Sequence, residues 1–344
     1  MFWLLLLCMI LLLLFPETVA SAAADGAMLW WTKVFPALVP HLILTGLALR
    51  ARRVLPRIGR LHPYAALSFL LGALGGYPIG ARVLAEGIES GALSPSEAQR
   101  FSYAAGLMSP VFLLSFTAVG LFGRPVAALP LCGAVYGVAL TVFLCCGRAK
   151  GTATLPPRAL TGGDLSDAIS DAMAAILRIG GCIVLCRVLA AALESVGLFR
   201  LIGWIAPGAE DISAAMLTGL LEMTSGCARV SNLPLPLGVR LSLCVFLQMF
   251  GGASVLLQTR AFLPGIRFGR YVLVRLGMAT AAALLCYGLC LLLPDGAAEA
   301  SASADALLRR GETLLSLFVA CGMGLLTAVY AGILLRPRIS ETSP

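Results

Sequence analysis

Apolar runs of about 18 to 22 residues recur along this chain, each long enough to cross the hydrocarbon of a bilayer as a helix. In lipid every backbone N–H and C=O must find its partner within the segment or inside a closed barrel. A transmembrane barrel requires strands that alternate polar and apolar residues, and stretches such as Val272 to Leu293 do not alternate. Helices are therefore expected. Of the 344 residues, 59% are hydrophobic and 12% charged, about half the charged share of a soluble domain. So few polar side chains do not cover the outside of a soluble fold of this length.

The net charge of +8 suggests nucleic acid in a soluble protein, but here the cations cluster between apolar runs and no aromatic-basic stripe accompanies them. They read as topology signals and contacts with anionic lipid, with no nucleic-acid partner. Most of the eleven Cys lie inside apolar runs without a paired CxxC framework, and the only histidines are His41 and His62. No metal, cofactor or enzymatic activity is expected; the thiols read as small core residues. Small residues at Val19-Ala20-Ser21-Ala22 resemble a signal-peptide cleavage site, but no Lys or Arg precedes the apolar run, and an uncleaved first span is expected.

Eight spans are expected: Phe2–Thr18, Val34–Leu49, Phe101–Leu121, Val126–Cys146, Ala172–Leu193, Leu241–Leu257, Val272–Leu293 and Leu314–Leu335. The positive-inside bias puts Arg50, Arg52, Arg53, Arg57 and Arg60 in the cytoplasm, with Arg148, Lys150, Arg158, Arg260, Arg267, Arg270, Arg336 and Arg338. Glu17, Asp25, Glu210, Asp211, Asp295 and Glu299 mark the opposite side, with Arg309 and Arg310 an exception there.

Counting crossings, the stretch from His62 to Gln99 begins and ends inside. It is interrupted by Gly75-Gly76-Tyr77-Pro78, which reads as a re-entrant hairpin. The stretch Ala214–Pro236 begins and ends outside and is interrupted at Thr224-Ser225-Gly226. Each half thus reads span, hairpin, span, in opposite orientations. Residues 72–83 align without gaps on 219–230, both starting Gly-x-Leu and ending Ala-Arg-Val. Inverted repeats with broken helices near the midplane are a signature of secondary transporters. The organisation expected is an all-α polytopic protein: an N-terminal span and outside loop (1–30), repeat 1 (31–147, hairpin 64–98), a cytoplasmic linker (148–167), repeat 2 (168–294, hairpin 212–238), and an outside loop, last span and tail (295–344).

Arg82 and Arg229 fall at equivalent repeat positions. Either they contact an anionic substrate bidentately, or they snorkel and pair with an acid such as Glu222. Glu222 in turn is either a carboxylate coupling a proton or sodium to transport, or a structural partner of Arg229. The breaks at Gly75, Gly76, Tyr77, Pro78 and at Thr224, Ser225, Gly226 either free N–H groups for an anion or are packing kinks. Ser109, Ser254 and Gln258 either line a cavity or sit among small residues that let helices approach.

Several segments together resemble the YlbJ-like sporulation integral membrane proteins, which carry a nucleoside-recognition (gate) type of repeat. They are residues 76–82 (GYPIGAR), 93–100 (LSPSEAQR), 109–112 (SPVF), 219–226 (GLLEMTSG) and 251–258 (GGASVLLQ). The likeness spans roughly Phe35 to Leu293 and departs from the family before Ser109-Pro110, where Ala105-Gly106-Leu107-Met108 stands in place of an Asn-bearing step. The resemblance implies export of dipicolinic acid from mother cell to forespore across the outer forespore membrane. A small planar dicarboxylate is compatible with two arginines and hairpin N-termini. A carrier of nucleosides or another solute, and a non-transporting sporulation scaffold, remain the alternatives.

Overall fold

The structure, a computed structural model, describes residues 2–50, 61–147, 160–197 and 210–292, and its secondary structure there is helical with no strand. The expected last span Leu314–Leu335 and the loop with Arg309 and Arg310 lie outside the described residues.

The first apolar run is two helices, not the single span expected. α1 (Phe2–Leu14) stops where Pro16 opens α2 (Pro16–Leu29), because proline suits a first helical turn but not a helix interior. α2 continues through a π-helical turn, Trp30–Val34, into α3 (Phe35–Arg50). In that turn the Phe35 N–H reaches back to the Trp30 carbonyl. The widened turn makes room just ahead of Pro36, whose ring would crowd the carbonyl four residues earlier. Both α2 and α3 run along α8 (Gly163–Ser195). The Trp30 indole donates to the Ile176 carbonyl at 3.1 Å and lies over Gly180, which leaves space for the ring.

Four helical stretches have the length and apolarity to cross a membrane: Pro125–Cys146, Gly163–Ser195, Leu237–Phe262 and Phe268–Leu291. The first contains α7 (Ala128–Cys146). The third is 67% buried inside the protein over its apolar window and the second only 33%, so the third is central and α8 peripheral. Leu177, Leu185 and Leu273 are exposed on α8 and the Phe268–Leu291 helix, as expected of side chains facing hydrocarbon.

Between these helices lie pairs of shorter ones. α4 (Pro63–Gly75) and α5 (Ile79–Glu89) flank Gly76-Tyr77-Pro78 and pack on one another. α6 (Pro95–Ala105) follows, opened by a capping box in which Ser94 and Glu97 satisfy each other's backbone N–H. α9 (Glu210–Leu221) and α10 (Met223–Ser231) flank Glu222. α11 (Leu237–Phe250) and α12 (Gly252–Phe262) meet at Gly251, and α13 (Phe268–Leu291) ends the described chain.

Two further expected spans are discontinuous. Phe101–Leu121 leaves the helix at Gly106, runs extended to Ser109, and resumes towards a π-helical segment, Phe112–Leu121. Pro110 disfavours helical backbone at Ser109, and the Ser109 hydroxyl caps the new helix by accepting from the Phe112 N–H at 3.2 Å. Leu241–Leu257 breaks at Gly251-Gly252, where φ is 89° and 67°, values that glycine adopts without a Cβ penalty.

Glycines set the closest approaches. A Cβ on Gly72 or Gly80 would collide with the Ala105 carbonyl, and one on Gly226 with the Gly219 backbone. Gly277 of α13 faces open space. Gly80→Ala and Gly226→Ala are each expected to destabilise the detergent-solubilised protein by about 1–3 kcal/mol through overpacking, read as a lowered melting temperature. Gly277→Ala should melt as the parent does.

Candidate functional site

Four of the helix breaks converge. Gly76 and Tyr77 from the first hairpin, Met108, Ser109 and Phe112 from the extended segment and the helix after it, Glu222, Met223 and Thr224 from the second hairpin, and Ser254, Val255 and Gln258 from α12 line one cavity. Val34 and Leu38, with Ile179 and Ile183 of α8, close it. Seven of the residues singled out in the sequence are thus brought together: Gly76, Tyr77, Ser109, Glu222, Thr224, Ser254 and Gln258. Gly75 and Pro78 flank them in the chain. The Gln258 amide donates to the Ser254 hydroxyl at 3.3 Å. The cavity measures about 30 Å³, room for about two waters.

Glu222 is buried, and its carboxylate caps α10: it accepts from the Thr224 N–H at 2.9 Å, the Ser225 N–H at 2.7 Å and the Thr224 hydroxyl. A carboxylate at a helix N-terminus satisfies orphan donors and meets the positive end of the helix dipole. The helix break therefore falls at Glu222, two residues before the Thr224-Ser225-Gly226 break read from the sequence, and those three residues lie in the first turn of α10. Glycine permits a break, but the carboxylate cap decides where the helix starts.

Glu222 does not pair with Arg229. Arg229 pairs with Glu194 at 2.6 Å, and Arg82 with Asp171 at 2.5 Å, which Arg50 also reaches at 2.8 Å. Asp171 and Glu194 stand on α8 about six turns apart, a rise of about 35 Å. The two arginines thus lie at opposite ends of the bundle, and one small dicarboxylate does not reach both. The ungapped alignment suggested otherwise because the first break uses three residues, Gly76-Tyr77-Pro78, and the second only Glu222. Arg82 consequently sits in the first turn of α5, whereas Arg229 sits near the end of α10.

Arg229 and Ser225 belong to a second, open cavity of about 680 Å³. Glu17, Thr18, Ser21 and Asp25 of α2, Arg187, Glu194 and Ser195 of α8, and Thr218 of α9 complete its polar wall. Thr224 lines the small cavity and Ser225 the large one, so the first turn of α10 is the partition between them.

One residue not singled out as a site in the sequence organises the centre. Arg275 of α13 is 0% exposed and donates to the carbonyls of Gly106, at 2.7 Å, and Met249, and to the Tyr77 hydroxyl. Gly106 caps the C-terminus of α6, and Met249 lies in the last turn of α11. The guanidinium also lies over the Tyr77 ring, 5.5 Å from its centre. Its signal was present: a lone charge inside the apolar run Val272–Leu293.

Being about 40% exposed, the Arg82 and Arg229 pairs are of the kind that contributes little. Arg82→Gln and Arg229→Gln should each lower stability by less than about 1 kcal/mol, measured by thermal unfolding. A collapse of the fold in either variant would contradict this placement.

No family model matches the chain, and no solved structure matches it. Among curated proteins it is similar to the sporulation integral membrane protein YlbJ of Bacillus subtilis (strain 168), 26% identical over an alignment 306 positions long, gaps included, that takes in 76% of this chain and 75% of that protein. The motifs at residues 76–82, 93–100, 109–112, 219–226 and 251–258 resemble the same kind of protein.

Proposed function

We propose that this chain is a membrane carrier of a small organic anion, with dipicolinic acid, moved from mother cell to forespore through the outer forespore membrane, as its substrate. One observation carries the reading: four helix breaks meet at one cavity deep in an apolar bundle. Broken backbone at membrane depth is tolerated where it lines a polar cavity or is buried in protein, and carriers place their sites there. The similarity to a sporulation integral membrane protein supports the setting. In this reading the α4–α5 and α9–α10 pairs are re-entrant hairpins of an inverted repeat, in a bundle of eight spans.

The vestibule of about 680 Å³ opens beside Glu17 and Asp25, on the side that the charge bias assigns to the outside. The inner cavity of about 30 Å³ is smaller than the roughly 300–1,000 Å³ of a ligand site. Substrate entry therefore requires the first turn of α10 to move, and Glu222, which holds that turn, is placed to link the motion to a proton or sodium. A second reading has specific support: Ser109, Thr224, Ser254, Gln258 and the Tyr77 ring offer neutral hydrogen bonding and stacking, which suits a nucleoside.

Purified protein in lipid vesicles separates these readings. The proposal predicts uptake of dipicolinate above protein-free vesicles, and uptake of uridine alone would select the nucleoside reading. No flux of either would leave a non-transporting scaffold. In the same vesicles Glu222→Gln should abolish accumulation driven by a proton or sodium gradient while downhill flux persists. Unchanged gradient-driven accumulation would remove Glu222 from coupling.

A further inference from the structure

We propose that Arg275 supplies the fixed positive charge of the transport site, recognising a substrate carboxylate through its contact with Tyr77. This rests on the carrier reading above. Tyr77 joins Arg275 to the cavity: it lines the small cavity, and its hydroxyl takes a hydrogen bond from Arg275 and donates to the carbonyls of Gln248 and Met249 at 3.3 Å. Arg275 itself is wholly buried behind it.

What surrounds Arg275 is unusual for a structural cation. No Asp or Glu forms an ion pair with it among the described residues. Its Nε is buried without a hydrogen-bond partner, as is the Tyr271 hydroxyl, which lies beside Gly106. Its partners are a phenol and the carbonyl ends of two helices. Each helix end carries about half a negative charge at most, so the two together offset the guanidinium as dipoles but supply no localised countercharge of the kind a carboxylate gives. An Arg at membrane depth is costly to insert. A clamp whose only task was to tie two carbonyls together would be served by a neutral amide at lower cost. The full charge is explained if an anion comes to it.

The charges around the cavity fit that role. Glu222 contributes a negative charge on one wall and Arg275 a positive charge behind the other, and Arg82 and Arg229 are engaged at the ends of α8. Arg275 contacts Tyr77 of the cavity wall and forms no ion pair with a carboxylate among the described residues. The solute class it selects is one bearing a carboxylate. Tyr77 transmits the recognition by turning its hydroxyl, a donor as well as an acceptor, from the α11 carbonyls to the incoming group.

The test uses the full chain in vesicles, with pyridine-2,6-dicarboxylate and uridine as solutes and melting temperature as the folding control. Arg275→Gln keeps donors for the carbonyls but removes the charge. It is expected to lose at least tenfold in initial dicarboxylate rate, Arg275→Lys to recover part of it, and uridine flux, where present, to be unaffected. Tyr77→Phe, which loses only a hydroxyl, is expected to raise the dicarboxylate KM several-fold while still folding, with a somewhat lowered melting temperature because the buried guanidinium loses one acceptor. A folded Arg275→Gln variant with the parental dicarboxylate rate would overturn the inference while leaving the carrier reading intact. So would an unchanged KM in Tyr77→Phe, which decides the matter if the Gln variant does not fold. A parent protein that moves no carboxylate at all would remove the anion reading and this inference together.

Discussion

Three elements that are far apart in sequence end on one guanidinium. Arg275 takes the carbonyl end of α6, the last turn of α11 and the Tyr77 hydroxyl at the first hairpin break. Each group alone is a liability: a helix end without its next turn, a buried phenol and a buried cation all lose water without automatic compensation. Together they satisfy one another. The clamp fixes where α6 and α11 stop, and hence where the extended segment before Ser109 and the turn at Gly251-Gly252 can open beside the cavity.

The second hairpin is organised by the opposite charge. Glu222 gathers the first N–H groups of α10, and Gly219 and Gly226 let α9 and α10 touch at the backbone. The bundle thus holds a cation at carbonyl ends and an anion at an amide end, each matched to a helix dipole, on either side of one small space. The first turn of α10, held by one carboxylate, divides that space from the vestibule.

Much of this was legible in the sequence because it rests on local rules. Gly-Gly followed within two residues by Pro works against continuing a helix, and the helix break at Gly76-Tyr77-Pro78 stands where those residues put it. α7, α8 and α13 follow the apolar runs that predicted them. What was not legible depended on partners from elsewhere in the chain. Arg82 and Arg229 looked equivalent because the letters around them match, but Asp171 and Glu194 claim them at opposite ends of α8. Pro16 and Pro110 mark breaks that hydropathy alone passes over, since proline is apolar enough to hide in a run. Arg275 is a single letter whose meaning appears only when the ends of α6 and α11 are brought to it.

The account stands on the cavity being a solvent-reachable binding space at the meeting of the breaks, and Ser254, buried in its wall, reports on that. The measurement is the rate at which a small water-soluble thiol reagent modifies Ser254→Cys in an otherwise Cys-free protein in vesicles, with and without dipicolinate. Modification that dipicolinate slows, while a Ser195→Cys control in the vestibule continues to react at its own rate, is the predicted result. A Ser254→Cys thiol that never reacts while Ser195→Cys does, or that reacts at the same rate with dipicolinate present, would contradict a substrate site at the breaks.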